Sequence, residues 1–339
     1  MVDQHKVARY REFGGPDVIH VENEDIPNVG PREVVVEIRR SGINPLDVKT
    51  RAGAQNKPMP EGGIIPHTDA AGTIRRIGDD VDGLAEGQRV WVWGVGRPVG
   101  TAATFAVAPA ERVAPLPDNA SCDLGASLGI PAITAALCLS RYEDRVIEPS
   151  THALAGRTVL VRGGGAVAHF TVQLAKLMGA TVVASASPAK LDALIRAGAH
   201  HAVDRTSRNV DETLRGISPD GYDLIVDVSP ATNMRSNIEL AAFRATVAIY
   251  AREGGDSADV SFRILQAKNM TMRSIRTIDL PQDEMQLAAD VVTWALEAGA
   301  LNVGEDHGLP LHVFSLDKIA DAHAAAESRD FHGKALLAL

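Results

Sequence analysis

Three consecutive glycines, Gly163 to Gly165, separate an apolar run from an amphipathic stretch. The preceding residues 158–162 are rich in β-branched side chains, as in a buried parallel strand. Helical periodicity begins near Val167, so the glycines lie at a strand-to-helix junction. The spacing Gly163-x-Gly165-x-x-Ala168 there is typical of a dinucleotide site, because it lets backbone N–H groups approach a pyrophosphate at the positive end of the helix. The predicted phosphate contacts are Gly163, Gly165, Ala166 and Val167.

The residues beyond this loop indicate which dinucleotide would bind. Sites selective for NAD place an acidic residue about 20 positions past the glycines, where it grips the ribose 2′-hydroxyl. That position here is Ser185, and Lys190 follows shortly after it in "SASPAK". Arg205 comes after the next predicted strand. A hydroxyl with two cations favours a 2′-phosphate through charge-assisted hydrogen bonds, so the sequence predicts NADPH.

The loop belongs to a longer alternation of strands and helices. Predicted strands at 158–162, 181–185, 201–203, 223–228, 246–250 and 270–276 are separated by helical segments. Such alternation is typical of an α/β doubly wound parallel sheet. Residues 1–122 instead show short strands broken by turn residues, which predicts a β-rich, partly open barrel. We therefore expect a first domain at 1–122 and a dinucleotide-binding domain at 123–265. Residues 266–339 are expected to supply the last Rossmann strand and helix and then to return to the first domain.

Composition limits the function classes. The chain has 339 residues and a net charge of −9, with no run of Lys or Arg longer than two, so nucleic acid is not an expected partner. The longest uncharged stretch, Leu124 to Ser140, is too short to span a bilayer and is interpreted as a buried helix. The charged N-terminus is unlike a signal peptide, which makes the cytoplasm the expected location. Cys122 and Cys138 form no motif for a disulfide framework or structural zinc.

Several longer segments resemble one family in their order along the chain. They are "REFGGPDVI" (11–19), "SGINPLDVKTRAG" (41–53), "PHTDAAGTIRRIGDDVDGLAEGQRVW" (66–91), "GIPAITAALCL" (129–139), "VQLAKLMGATVVA" (172–184) and "HGKALLAL" (332–339). Together they resemble the medium-chain dehydrogenase/reductase superfamily and, within it, the zinc-free quinone oxidoreductases of the zeta-crystallin type. The resemblance implies a GroES-like catalytic domain, a Rossmann domain and a final return to the former. The glycine loop is one residue shorter than the A-x-x-G-x-x-G usual in those enzymes.

The same resemblance bears on metal binding. The zinc-dependent branch of the superfamily carries a Cys where Asn44 stands and a His where Thr68 stands. His67 is adjacent, but one step along a strand turns a side chain to the opposite face. Because tetrahedral zinc needs three or four converging ligands, we expect no metal site.

Without metal, the expected chemistry is hydride transfer from the nicotinamide to a quinone or to the β-carbon of an α,β-unsaturated carbonyl. Such an acceptor needs hydrogen-bond donors for its developing oxyanion. By resemblance, the "INPLDVK" segment supplies Asn44 and Lys49 as candidate catalytic residues, with Asp47 expected to hold the turn. Thr134 and Lys334 lie in segments that resemble cofactor-contacting parts of relatives. Tyr250 ends a predicted parallel strand, where ligands of such sheets bind.

Two further expectations concern alternatives and assembly. A non-catalytic, NADPH-binding scaffold of the same fold is the alternative function. The strand within 269–277 is expected at the open edge of the Rossmann sheet, and relatives join two such edges. The sequence therefore predicts a homodimer through that edge.

Overall fold

The computed structural model describes residues 4–142, 145–146, 148–277, 280–328 and 330–339. The chain divides into two compact units. Unit 1 comprises residues 1–131 and 310–339, and unit 2 comprises residues 132–309.

Unit 1 is built on a mainly antiparallel sheet that continues from the N-terminal segments into the C-terminal tail. The order of its described strands is β16-β17-β3-β4-β5-β7, with β6 pairing on β3, and a separate hairpin pairs β1 with β2. The strands of unit 1 are β1 (Gln4–Arg9), β2 (His20–Asp25), β3 (Glu33–Gly42), β4 (Asp69–Ile77), β5 (Arg89–Val92), β6 (Phe105–Pro109), β7 (Val113–Pro115), β16 (Leu311–Ser315) and β17 (Lys334–Ala338).

Two helices cover this sheet and complete its cores. They are α1 (Pro45–Arg51) and α9 (Ile319–Glu327). Buried side chains from β1, β17 and α9 form one apolar cluster around Tyr10, Ile319 and Leu337. Alternating side chains of β3, β4 and β5 form a second cluster around Ile38, Ile74 and Val90. These clusters fix the positions of the segments that follow β3 and precede β4, which carry the polar residues described below.

Unit 2 contains the predicted parallel sheet. The order of its described strands is β12-β11-β10-β13-β14-β15, and every neighbouring pair is parallel. The strands are β10 (Thr158–Arg162), β11 (Thr181–Ala186), β12 (His201–Asp204), β13 (Tyr222–Asp227), β14 (Ala241–Ile249) and β15 (Thr271–Ser274). A short hairpin of β8 (Arg141–Tyr142) and β9 (Arg145–Val146) precedes them.

Helices connect these strands in the order expected of a doubly wound fold. They are α3 (Ala166–Leu177), α4 (Leu191–Ala197), α5 (Val210–Ile217), α6 (Pro230–Leu240), α7 (Phe262–Lys268) and α8 (Gln282–Glu297). The α5 and α6 side of the sheet buries Leu160, Ile225 and Val247. The strand order reverses between β10 and β13, which is where such sheets bind dinucleotides. The predicted fold class is confirmed.

The first boundary between the two units differs from the one expected from the sequence. The first boundary falls after Pro131 rather than at 122, within helix α2 (Cys122–Leu139), which is kinked at Gly129. The start of α2 belongs to unit 1 and packs against β4, because a Cβ on Gly125 would lie 2.8 Å from the Cβ of Ala71. The second boundary is at Pro310, because β15 and the segment after it belong with the Rossmann sheet.

Helix α2 is also long and apolar enough to pass a test for a membrane span. However, 83% of its most apolar window is buried inside the protein, as in the core helix of a globular fold. This agrees with the buried helix predicted for Leu124 to Ser140.

Strand β15 lies at one edge of the parallel sheet, with Met272 41% exposed. We predict a homodimer in which two such edges pair, so light scattering should give a mass of about two chains of 35.9 kDa. Met272→Asp should shift the mass towards one chain. The matched control is Val313→Asp, a similarly exposed apolar residue (46%) on edge strand β16 of the other sheet, which should leave the dimer intact. A wild-type mass of one chain at micromolar concentration would contradict the prediction.

Candidate active site

The glycine loop has the geometry of an anion cradle. Strand β10 ends at Arg162, and α3 begins at Ala166, one residue before the predicted start, with Gly165 as its N-cap. Gly163 has φ +139°, which favours glycine, and a Cβ added to Gly165 would meet nothing within 4 Å. Among the residues that the structure describes, no side chain caps the N-terminus of α3. The first N–H groups of this 12-residue helix, including those of Ala166 and Val167, therefore have no intrahelical acceptor and can bind a phosphate.

Two cations lie beside this loop. Arg205 is brought to the end of β11 by a hydrogen bond from its N–H to the carbonyl of Ala186, at 2.9 Å. The stem of Lys190 crosses Gly164, where an added Cβ would lie 2.7 Å from the Lys190 Cδ. Burial lowers the pKa of Lys190, and the charge of Arg205 adds to the effect. Two positive charges that act on each other favour an anion beside them. Glycine is required at position 164 to leave room for the Lys190 side chain.

The sequence at the end of β11, Ser185-Ala-Ser187, contains no carboxylate. Asp204 precedes Arg205, but its carboxylate accepts hydrogen bonds from the Thr206 N–H and hydroxyl at 2.8 and 2.7 Å. The predicted contact Ser185 is only 2% exposed, and its hydroxyl has no partner among the residues that the structure describes. It therefore lies beneath the surface that the two cations occupy.

Two other predicted cofactor residues lie near the carboxyl ends of strands in unit 2, Tyr250 directly after β14 and Thr134 on helix α2. The Tyr250 hydroxyl is directed at the loop, 3.4 Å from the position of a Cβ on Gly163, and burial raises its pKa. The Thr134 hydroxyl is buried and lies 3.0 Å from the hydroxyl of Thr277, just beyond β15. Both side chains are therefore near the sheet edge at which Rossmann ligands bind. Thr277 was not identified from the sequence, since no motif marks it.

A pocket of about 440 Å³ lies at the same ends of β14 and β15. Its lining is mainly apolar, including Met234, Ile249 and Ile275, with Tyr250 on one side. Pockets with apolar walls and few polar groups are typical of small-molecule sites.

In unit 1, Asn44 begins helix α1 as its N-cap. Its backbone N–H donates to the Asp47 carboxylate at 2.7 Å, completing a capping box, as expected of the turn role predicted for Asp47. The side chains of Asn44 and Asp47 are both buried. Lys49 lies on the same helix but is exposed, so the structure separates the two predicted catalytic side chains by burial.

The Asn44 amide is held at both ends. Its oxygen accepts from the Lys334 ammonium at 2.6 Å, and its nitrogen donates to the Asp69 carboxylate at 2.6 Å. Lys334 was predicted to contact cofactor, and the structure places it in this cluster, only 3% exposed. One N–H of Asn44 and two of Lys334 are not used by these bonds. The group is therefore a buried source of hydrogen-bond donors.

Asp69 organises this cluster, although the sequence-based reasoning did not identify it. Its carboxylate also accepts from the N–H groups of Ile130 at 2.8 Å and Gly94 at 3.3 Å, and from the Thr68 hydroxyl at 3.1 Å. The Ile130 bond caps the second half of α2 beyond its kink. The sequence signal that could have revealed Asp69 is an acidic residue followed directly by small apolar residues, as in "TDAAG", because such an acid is expected to be buried only when it is paired.

Burial perturbs all three ionisable groups of this cluster. It raises the pKa of Asp47 to about 7, and the nearby Asp69 charge acts in the same direction. It also raises the pKa of Asp69, against the opposing charge of Lys334 and the bonds from its donors. It lowers the pKa of Lys334, against the charges of both acids. The cluster can therefore hold an exchangeable proton near neutral pH, as general acid catalysis requires.

His67 does not lie on a strand, contrary to the sequence-based interpretation. Strand β4 begins at Asp69, and His67 precedes it in the left-handed region, with φ +71°. Its ring is buried between Ser41 and His323, with its Nδ1 2.9 Å from the Ser41 hydroxyl and its Nε2 2.9 Å from the His323 Nε2. The side chain is directed by this turn rather than by strand alternation.

Two family comparisons match separate parts of the chain. Residues 30–118 match the alcohol dehydrogenase GroES-like domain, and residues 166–294 match the zinc-binding dehydrogenase family. These ranges fall within unit 1 and unit 2 respectively.

Comparisons with individual proteins cover more of the chain. A quinone oxidoreductase of Mus musculus is 27% identical over 94% of this chain and 92% of its own length. A chloroplastic NADPH-dependent alkenal/one oxidoreductase of Arabidopsis thaliana is 29% identical over 64% of this chain and 55% of its own. The structure of Escherichia coli quinone oxidoreductase complexed with NADPH superposes with a TM-score of 0.80 at 21% identity, over 98% and 100% of the two chains. That structural likeness shows the fold.

The buried histidines predict an acid-sensitive stability. Burial lowers the pKa of His323 to about 3, with the Arg51 charge adding to it, and lowers that of His67 well below 6.5, with His323 and Lys334 adding. Below about pH 6.5 the unfolded chain binds protons that the folded chain does not, so the free energy of unfolding falls with falling pH.

His323→Gln should therefore lose less stability than the wild type between pH 7 and pH 5, by at most about 1.4 kcal/mol per pH unit. Denaturant unfolding at the two pH values measures this difference. The control is His20→Gln on exposed β2, whose stability should follow the wild type at both pH values. Equal pH dependence in the wild type and in His323→Gln would contradict the prediction.

Proposed function

Because the chain belongs to the medium-chain dehydrogenase/reductase family, with the quinone oxidoreductases, we propose that it is an NADPH-dependent, zinc-independent reductase of quinones or α,β-unsaturated carbonyls. It is an oxidoreductase, and its dehydrogenase fold supports a nicotinamide cofactor. The observation that carries the choice of NADPH is the pair of cations, Lys190 and Arg205, beside a glycine loop without an acidic neighbour at the end of β11.

The residues of unit 2 fit this cofactor. The N–H groups at the start of α3 would bind its pyrophosphate, and Lys190 and Arg205 its 2′-phosphate. Tyr250 and Thr134, near the carboxyl ends of the strands, would position the nicotinamide half. When bound, the cofactor supplies a hydride to an electron-poor carbon.

The residues of unit 1 supply what the acceptor would need. Hydride addition to a quinone or enone builds negative charge on its oxygen, and preorganised N–H donors in a dry environment stabilise such charge. Asn44 and Lys334 retain N–H groups for that purpose after bonding to each other. Asp47, whose pKa is raised to about 7, can donate the proton that the product takes up. In this proposal the exposed side chain of Lys49 on α1 lies beside the acceptor substrate.

The proposal needs no zinc. An amide at Asn44 and a hydroxyl at Thr68 are poor substitutes for the thiolate and imidazole that bind zinc. Across the described parts of the chain, no group of three or more His, Cys, Asp or Glu side chains is arranged to hold a metal. The Asn44 amide is instead committed to Asp69 and Lys334.

A double variant tests the choice of cofactor. Replacing Lys190 and Arg205 together by alanine should raise the Michaelis constant for NADPH by about 100-fold or more, since each charge-assisted bond contributes about 1.5–3 kcal/mol. The constant for NADH should change little. Arg196→Ala removes an exposed cation from α4 and serves as the control, with neither constant changed. Equal losses with both cofactors, or a wild type that prefers NADH, would refute the NADPH assignment.

The reaction itself is tested by oxidation of NADPH with a panel of quinones and enones. We expect steady turnover with at least one class. Tight NADPH binding without turnover of any acceptor would instead support the alternative of a non-catalytic scaffold. Asn44→Ala should lower kcat by about 100-fold or more, the usual size of one lost donor at a developing oxyanion, with NADPH affinity retained.

Metal independence has its own measurement. The purified protein should contain no stoichiometric zinc by elemental analysis and should keep its activity after exposure to a chelator. One tightly held zinc per chain, lost together with the activity, would overturn the zinc-independent mechanism.

A further inference from the structure

A chain of hydrogen bonds in unit 1 links α9 to the start of β4. It runs from His323 to His67 at 2.9 Å, from His67 to Ser41 at 2.9 Å and from Ser41 to Thr101 at 2.8 Å. It ends where the Thr101 hydroxyl meets the backbone carbonyl of Asp69, at 2.9 Å. All four side chains are buried, with exposures of 3% or less.

The terminal carbonyl determines the direction of every bond, because a carbonyl can only accept. Thr101 must donate its single proton to Asp69, so it accepts from Ser41. Ser41 then has no proton left for His67, and the His67 Nδ1–H must donate to it. A neutral His67 consequently carries a lone pair on Nε2 and accepts from the His323 Nε2–H.

The ring of His323 is consistent with this direction. Its Nδ1 is buried and has no hydrogen-bond partner among the residues that the structure describes. With Nε2 as the donor, that nitrogen keeps a lone pair rather than a stranded N–H group. The charged groups that act on the two rings are both cations, Arg51 on His323 and Lys334 on His67, so protonation of the pair is opposed from both sides. Arg51 is itself paired with Glu327 on α9.

The chain of hydrogen bonds supports a strained backbone at His67. His67 adopts φ +71°, a conformation that a residue other than glycine adopts only when its surroundings enforce it. The backbone of the same segment packs closely against Gly100. A Cβ added to Gly100 would lie within 2.7 Å of the carbonyl oxygens of residues 65 to 67. Asp69, which follows this turn, presents its carboxylate to the Asn44 amide.

We propose that His67 and His323 are positioning residues that act through a one-directional hydrogen-bond chain, with His67 in the Nδ1–H form and His323 in the Nε2–H form. By holding the turn before β4, they fix Asp69 and thereby the Asn44 amide. The consequence for catalysis rests on the proposed reductase function, whereas the two tautomers do not.

The tautomers are measured by nitrogen NMR of protein labelled with 15N-histidine, with signals assigned from the spectra of His67→Asn and His323→Gln. We expect one protonated and one unprotonated nitrogen on each ring, Nδ1–H for His67 and Nε2–H for His323, throughout the neutral pH range. His67 in the opposite form, or a doubly protonated ring on either residue at neutral pH, would overturn the proposal.

Function is measured with two variants of His323, a substitute variant of His67 and a control, in the NADPH-dependent reduction of an acceptor. His323→Leu removes the donor and should lower kcat about tenfold, with the dissociation constant for NADPH unchanged. His323→Gln retains an N–H donor and should restore most of the rate. If His323→Leu does not fold, His67→Asn serves instead, because asparagine tolerates the left-handed turn but lacks the second ring nitrogen. The control His20→Gln should match the wild type.

Equal rates for His323→Leu and His323→Gln would refute the positioning role. A wild type that reduces no acceptor would refute the reductase function, while the tautomers would still decide whether the oriented chain exists.

Discussion

The buried carboxylate of Asp69 is the constraint on which unit 1 depends. It accepts the Asn44 side chain and the N–H of Ile130, so it connects the start of α1 with the second half of α2. A charge without water requires several donors, and the structure supplies them from four different residues. Gly129 is needed for this approach, since a Cβ there would lie 1.9 Å from the Asp69 carboxyl carbon. The carboxylate therefore approaches the backbone of α2 at its kink, where only glycine leaves room for it.

The site proposed in unit 2 follows a different principle, in which backbone atoms rather than side chains would bind the anion. The glycine loop has no side chains and leaves the N–H groups at the start of α3 accessible to a phosphate. In the proposal, side chains contribute only the preference for a 2′-phosphate. Lys190 and Arg205 come from different connections of the sheet, and the charge of Arg205 acts on Lys190 because parallel strands end on one side. Loss of one residue from the loop is compatible with this design, because the helix start and the strand end supply the binding groups.

The sequence allowed prediction of those features that have local patterns. Strand and helix alternation predicted the parallel sheet, and the glycine spacing predicted the strand-to-helix junction to within one residue at Ala166. The resemblance to the family is confirmed by the comparisons. Features that depend on contacts between distant segments were not predictable in this way. Asp69 and His323 are separated by most of the chain, and the left-handed turn at His67 has no glycine to mark it.

The depth at which Ser185 lies has a consequence for redesigning the cofactor preference. The sequence count selects Ser185 as the residue to exchange for an acid, yet its side chain is buried beneath the end of β11. A carboxylate introduced there would carry a desolvation penalty and would face the protein interior rather than a ribose. Ser187 is more accessible and immediately precedes the turn that carries Lys190. With the 2′-phosphate held as proposed, an acidic residue meant to select NADH would be placed at position 187, in the loop, rather than at position 185, in the strand.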